Sequence, residues 1–217
     1  AKGKAVIKSP WSSSGRGVRY VSLDNMSLHV EEATQKWAAN VIKQQGGVTV
    51  EPYYNKVKDF GMEFEVRDGE VMYRGLSLFQ TVKGAYTGNA LATEDEKIEM
   101  LAPFVSREEL DRIRQHVIDV IQPALHGIYS GPFGVDMMVC SKEEGGDVLG
   151  EQSTGMSLNT FVNPCIELNL RRTMGHVALS LGLSDKASRH VMRIDFDGNR
   201  YRMNVLLGRP SEDAPFH

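Results

Sequence analysis

Apolar and polar positions along this chain alternate with a period that switches between that of a strand and that of a helix. Ala5-Val6-Ile7-Lys8 opens as a strand. After Ser9-Pro10-Trp11 and a small polar loop through Gly17, a second strand runs from about Val18 to Val21. Between Ser27 and Gln45 the positions Val30, Ala33, Trp37 and Val41 recur at helical spacing, and Gly46-Gly47 stops that helix. Val48 to Glu51 is a short strand ended by Pro52. Phe60 to Val66 and Val71 to Phe79 alternate as paired strands joined by the turn residues Asp68-Gly69. Ser106-Arg107-Glu108-Glu109 has the form of a capping box. It opens a helix with the apolar face Leu110, Ile113, Val117, Val120, Ile121 and Leu125, and Pro123 is expected to kink or end it. Strands over Gly134 to Val139 and Pro164 to Arg171 follow, then a short helix from Arg172 to Leu181. A last hairpin pairs Val191 to Phe196 with Arg200 to Leu207 about Asp197-Gly198, and residues 208–217 read as a disordered tail. No internal repeat interrupts this order. Strands and helices so arranged predict an α+β protein.

Composition narrows the function classes. The 217 residues suffice for one large domain or two lobes with a sizeable core. A net charge of −3 lacks the basic excess of a nucleic-acid binder. No apolar run reaches the ~20 residues that cross a bilayer, and no signal peptide opens the chain. The two cysteines, Cys140 and Cys165, fall inside expected buried strands and read as reduced core thiols of a cytoplasmic protein. Ala1-Lys2-Gly3-Lys4 leads at once into a strand, which suggests either a piece of a longer protein or a natural minimal version.

The chemistry sits at strand ends. In Pro164-Cys165-Ile166-Glu167-Leu168-Asn169-Leu170-Arg171 a strand would put Glu167, Asn169 and Arg171 on one face and Ile166, Leu168 and Leu170 on a core face. Gly134-Val135-Asp136-Met137-Met138-Val139 offers a second carboxylate among apolar neighbours. Such oxygen donors suit Mg²⁺ with phosphates, and Arg171 can grip a phosphate bidentately. The same residues also read as a cross-strand ion pair and a solvated strand-end carboxylate. Lys8 ends its strand before a loop in which Gly15 and Gly17 let backbone N–H groups approach an anion, although the glycine spacing is not that of a Walker loop. Glu51-Pro52-Tyr53-Tyr54 follows a strand and offers a carboxylate to an adenine edge, or it is a solvated linker.

In this order the pieces resemble the ATP-grasp superfamily, specifically the ATP-binding part of D-alanine–D-alanine ligase-type enzymes without their leading domain. The elements that carry the resemblance are Lys8 before a small glycine-containing loop, the hinge at Glu51, the Gly-Val-Asp136 strand and Glu167-x-Asn169-x-Arg171. The resemblance implies a two-lobed ATP-grasp fold of antiparallel sheets with packed helices, the nucleotide clamped between the lobes. Residues 1–52 would form the small lobe with its phosphate loop and 53–217 the larger lobe with the metal-binding strands. Lys8, Ser12, Ser13, Ser14, Gly15 and Gly17 would hold phosphates, Glu51, Tyr53 and Tyr54 the adenine, and Asp59 the ribose. Asp136, Glu167 and Asn169 would bind Mg²⁺ or Mn²⁺, with Arg171 and Lys83 at the transferred phosphoryl group. The implied reaction is an ATP-dependent carboxylate–amine ligation through an acyl phosphate. Its partners would be small carboxylates and amines, with neither nucleic acid nor membrane. A missing N-terminal domain or a homo-oligomer would complete the enzyme.

Two features depart from the family. The leading domain usual before the lysine strand is expected to be absent, and Ser141 to Asn163 is long where relatives have a tight hairpin, so it reads as a substrate flap or a solvated insertion. Arg172, Thr173 and His176 stand near the acceptor or merely pack a short helix. A nucleotide-binding module without ligase chemistry, or a phosphotransferase on the same fold, remain alternatives. No histidine lies in the phosphate-site segments to carry a phosphohistidine.

Overall fold

The structure is a computed structural model that describes residues 3–12, 17–24, 27–82, 85–142, 159–182 and 190–207. In chain order its elements are β1 (Lys4–Lys8), β2 (Val18–Asp24), β3 (Ser27–His29), α1 (Glu32–Gln45), β4 (Thr49–Pro52), β5 (Asn55–Arg67), β6 (Glu70–Ser77), β7 (Phe79–Val82) and β8 (Ala85–Leu91). Then come α2 (Glu94–Leu101), α3 (Arg107–Leu125), β9 (Gly131–Ser141), β10 (Thr160–Asn169), α4 (Met174–Ser180), β11 (His190–Phe196) and β12 (Tyr201–Leu207). The chain is α+β, as its patterning predicts, and the β1–β2, β1–β4, β2–β3, β5–β6, β8–β11, β9–β10 and β11–β12 pairings are antiparallel.

Cα packing divides the chain into two compact units, the first built on residues through Asn55 and the second on the elements that follow. The first holds one sheet of order β3-β2-β1-β4. Ile7 and Val21 are buried from its strands, and α1 contributes Val41 and Thr34. The helix starts later than its periodicity suggests, because Ser27–His29 pairs with β2 in the register Ser22↔His29 and forms a strand first. The buried stripe of α1 runs through Thr34 and Val41, and Ala33 is exposed. Trp37 is held under the Arg19 guanidinium, 4.7 Å from the ring centroid.

The second unit holds two sheets, β10-β9-β5-β6 and β12-β11-β8-β7. Strand alternation explains the first. Phe60, Met62, Phe64 and Val66 of β5 and Phe133, Val135, Met137 and Val139 of β9 form one dry face. Leu110, Ile113 and Val117 of α3 belong to the same cluster, and Phe64 stacks on Phe133 with centroids 5.1 Å apart. Ser106 caps α3 by accepting from Glu109 N–H at 3.2 Å, one half of the expected capping box, while the Glu109 carboxylate pairs with Arg112. Pro123 lies in the final turn, and the helix ends two residues later at Leu125. A smaller cluster of Leu91, Ala178 and Met192 seats α4, with Met174 and Val177 packed against it.

Strand β8 and helix α2 escaped the patterning. β8 carries Gly88 and Asn89, residues that strands usually avoid. Its Gly88 is required by close approach, since a Cβ there would lie 2.1 Å from the Met192 carbonyl oxygen. Helix α2 is short and acidic, but Thr93 and Glu96 form a full capping box that the sequence displays.

Candidate functional site

Two neighbouring strands bring the expected metal ligands together. In the β9–β10 ladder Glu167 lies directly opposite Asp136, and Asn169 lies opposite Gly134. Cross-strand partners share a face, so the two carboxylates stand side by side on the face of the sheet away from Phe133 and Val135. Asn169, itself buried, donates from Nδ2 to Asp136 Oδ2 at 3.2 Å. Gly61 of β5 leaves room beside them, its would-be Cβ 3.6 Å from Asp136 Oδ1. Burial, then the charges of Glu167 and Glu63, push the Asp136 carboxyl up to about 7, against the opposing pull of Asn169 and Arg171.

Arg171 is not on the strand. β10 ends at Asn169, where the Arg171 N–H donates to the Asn169 carbonyl at 2.8 Å and turns the chain back. Through that turn Arg171 Nη2 donates to Asn169 Oδ1 at 2.9 Å. The partner face of this strand is no core face either: Leu168 is 37% and Leu170 44% exposed. The reason is position, because β10 is the edge of its sheet. Cys165 is likewise exposed, not a core thiol. It falls in an irregularity where β10 advances from Asn163 to Glu167 while β9 moves only from Met138 to Asp136. Cys140 is buried as expected, and burial pushes its thiol up to about 11.

A further cluster lies beside Asp136 that the sequence did not mark. Glu63 of β5 is 3% exposed. Its Oε2 accepts from Thr173 Oγ1 at 2.8 Å and lies 2.9 Å from His176 Nδ1. His176 donates from Nε2 to the Phe64 carbonyl at 3.0 Å. Burial works against the charged imidazole, but the Glu63 carboxylate and the Phe64 carbonyl outweigh it and raise the His176 pKa. His176 therefore packs inside the protein, and of its two expected roles the structure displays the packing one. In the sequence Glu63 is one of several charged residues of β5, with Lys58, Asp59 and Glu65, and nothing local sets it apart.

In the first unit, Lys8 Nζ pairs with Glu51 Oε2 at 2.6 Å, across the antiparallel β1–β4 ladder. The proposed phosphate and adenine residues thus meet each other. Gly17 closes the intervening loop, its carbonyl accepting from Ser9 N–H at 2.8 Å. A Cβ on Gly17 would fall 2.4 Å from the Ser12 side chain, so the loop has no room for a larger residue. Gln45 of α1 holds the start of this loop, accepting from Trp11 N–H at 2.9 Å and donating to the Trp11 carbonyl at 3.2 Å. Tyr53 N–H donates to the Lys4 carbonyl at 3.2 Å, and its ring meets Tyr20 edge-on at 5.9 Å. Tyr54 is half-buried. Asp59 belongs to β5 of the second unit, where Oδ2 accepts from Lys56 at 2.6 Å and from Thr81 at 2.7 Å. Ser13, Ser14, Gly15 and Lys83 lie outside the described residues, as do the centre of the Ser141 to Asn163 segment and the 208–217 tail.

Among the described residues no three His, Cys, Asp or Glu side chains form a complete metal cluster. Mg²⁺ rarely needs one: it commonly takes one or two carboxylates, with water and substrate phosphates filling the octahedron. Two opposed carboxylates and an amide oxygen fit that donor chemistry, and the raised Asp136 pKa marks negative charge that a cation would relieve. No helix among the described residues is long and apolar enough to cross a membrane.

No protein-family model and no curated protein matches the chain. Several solved structures do. One is N5-carboxyaminoimidazole synthetase from Staphylococcus aureus with ADP, at 14% identity and a TM-score of 0.47, covering 89% of this chain and 47% of that one. Another is a protein assigned to the ATP-grasp superfamily from Archaeoglobus fulgidus, at 13% and 0.45, covering 96% and 56%. A third is the biotin carboxylase domain of Hydrogenobacter thermophilus 2-oxoglutarate carboxylase with MgADP, ADP and bicarbonate, at 13% and 0.46, covering 88% and 41%. The chain spans about half the length of these structures.

Proposed function

We propose that the chain binds Mg-ATP and serves as the ATP-grasp part of a ligase that activates a carboxylate as an acyl phosphate for attack by an amine. The observation that carries this reading is the pair Asp136 and Glu167, directly opposed on adjacent strands, with Asn169 donating to Asp136 and Arg171 turned back onto Asn169. Like charges so placed are unfavourable by themselves. A divalent cation held by Asp136, Glu167 and Asn169 would supply positive charge to the phosphates.

The chain's own residues have three tasks. Arg171 offers a planar fork to a phosphoryl oxygen, with Asn169 orienting its guanidinium. Lys8, with Ser12 and Gly17, serves the polyphosphate, and Glu51, Tyr53 and Tyr54 the adenine. Asp59 serves the ribose. Lys8 must then exchange part of its bond to Glu51 for phosphate contact, which suits a pair that remains partly exposed. Lys83 is proposed as a second cation at the transferred group. Positioning and electrostatics do this work, because phosphoryl transfer needs little covalent help from protein.

The test is Mg-ATP binding by calorimetry, with ADP release measured across a panel of small carboxylates and amines. Glu167→Ala should weaken Mg-ATP binding and abolish turnover. If this variant binds and turns over as the wild type does, the site is assigned to the wrong residues. Tight nucleotide binding without turnover on any carboxylate would favour a binding module.

A further inference from the structure

The Glu63 carboxylate is buried where the proposed metal chemistry does not use it, and two backbones are shaped around it. A Cβ on Gly134 of β9 would lie 2.5 Å from Glu63 Oε2, and one on Gly175 of α4 would lie 1.8 Å from Oε1. Only glycine at both positions leaves space for the carboxylate. Taking a carboxylate out of water is costly unless it is well paired, and here the pairing is with Thr173 and His176 at the start of α4. Thr173 already caps that helix, its Oγ1 accepting from His176 N–H at 3.3 Å. A cap alone does not require a buried charge from a strand 110 residues away.

What lies just before Thr173 supplies the reason. Arg171 stands two residues upstream and Asn169 four, joined by the tight Arg171-to-Asn169 turn. β10 is an edge strand with an irregular ladder before Glu167 and exposed leucines after it. The leucine side chains therefore add little to the short ladder, Glu167 to Asn169, that fixes its end. The tie from Glu63 to Thr173 anchors the chain beyond that end to the central strand β5.

We propose that Glu63, acting through Thr173, is a positioning residue that holds Asn169 and Arg171 in register with Asp136. The proposal rests on the metal–nucleotide reading of the site. It makes Thr173 and Glu63 outer partners of the ligands, a place where loss typically weakens metal binding without removing a ligand.

The probe is Mn²⁺, whose affinity is read by electron paramagnetic resonance at saturating ADP. Thr173→Val removes the hydroxyl at nearly constant volume and should weaken Mn²⁺ binding roughly tenfold or more. ADP affinity without metal should stay at the wild-type value, and Thr173→Ser should recover Mn²⁺ binding. Glu63→Gln should act in the same direction, and it carries the test if Thr173→Val does not fold. Ser106→Ala, which removes the cap of α3, controls for simple loss of a helix cap: it should lower Tm and leave Mn²⁺ binding alone. If Thr173→Val and Glu63→Gln bind Mn²⁺ with ADP as tightly as the wild type, the positioning role is overturned and only a structural one is left. A wild-type chain that binds no Mn²⁺ with ADP overturns the site reading, and the positioning role with it.

Discussion

Asp136→Asn should make the metal-free protein more stable at alkaline pH while impairing the proposed site. The Asp136 carboxyl is raised from 3.8 in the unfolded chain to about 7 in the folded one. The folded state thus holds this proton more tightly. Its contribution to stability is full below pH 3.8 and is lost progressively as pH rises through 7. A shift of that size is worth about 4 kcal/mol at pH 8, of which about 2 accrues between pH 5.5 and 8. Asparagine keeps the shape, stays neutral and can still accept from Asn169, so the variant escapes this loss. Urea unfolding of both proteins in EDTA, at pH 5.5 and pH 8, isolates the residue, since all other titrating groups are common to them. The wild type should lose stability relative to the variant by about 2 kcal/mol over that interval. Parallel pH dependences, or a variant less stable than the wild type at pH 8, would refute the claim that burial and opposed charge strain this carboxylate.

The same shift predicts proton release when Mg²⁺ and ATP bind. Near pH 7 about half a proton should leave per site, falling towards zero at pH 8.5, as read by calorimetry in buffers of different ionisation enthalpy. Affinity for the ion should rise with pH through 7. Phe64→Ala, at a fully buried ring stacked on Phe133, should lower unfolding free energy by about 3–5 kcal/mol in the same urea assay. Gly134→Ala would drive a methyl into Glu63 and Thr173 and should cost about 1–3 kcal/mol, while Gly46→Ala, where a Cβ meets nothing within 4 Å, tests left-handed strain without a clash.

Much of the site was legible because its signals are local. Alternation alone put Asp136 inside an apolar strand and Glu167 and Asn169 on one face of another, and the ladder then set Asp136 against Glu167. Alternation could not reveal that β10 is an edge, so Leu168 and Leu170 were expected in a core to which they do not belong. Nor could it show that Arg171 leaves the strand through a turn onto Asn169. The β3 strand was hidden because three residues carry too little period to outweigh the helical pattern that follows them. Glu63 was hidden for a different reason. Its partners come 110 and more residues later, and nothing local distinguishes a buried carboxylate from a solvated one.

The two faces of the β10-β9-β5-β6 sheet account for this arrangement. On one, Phe60, Met62, Phe64, Phe133, Val135 and Met137 make a dry, rigid layer with α3. Because side chains alternate, every residue between them is forced to the other face, and there the chain places Gly61, Glu63, Gly134 and Asp136. Rigidity on the apolar side is what allows charge on the other to be held against its own repulsion. Glu63 is paired within the fold with Thr173 and His176, whereas Asp136 faces the like charge of Glu167, with the Asn169 amide as donor and the Arg171 charge in opposition. The fold thus satisfies one carboxylate internally and leaves the opposed pair in need of a cation. That asymmetry is why Glu63 is assigned to positioning, and Asp136 and Glu167 to ligation.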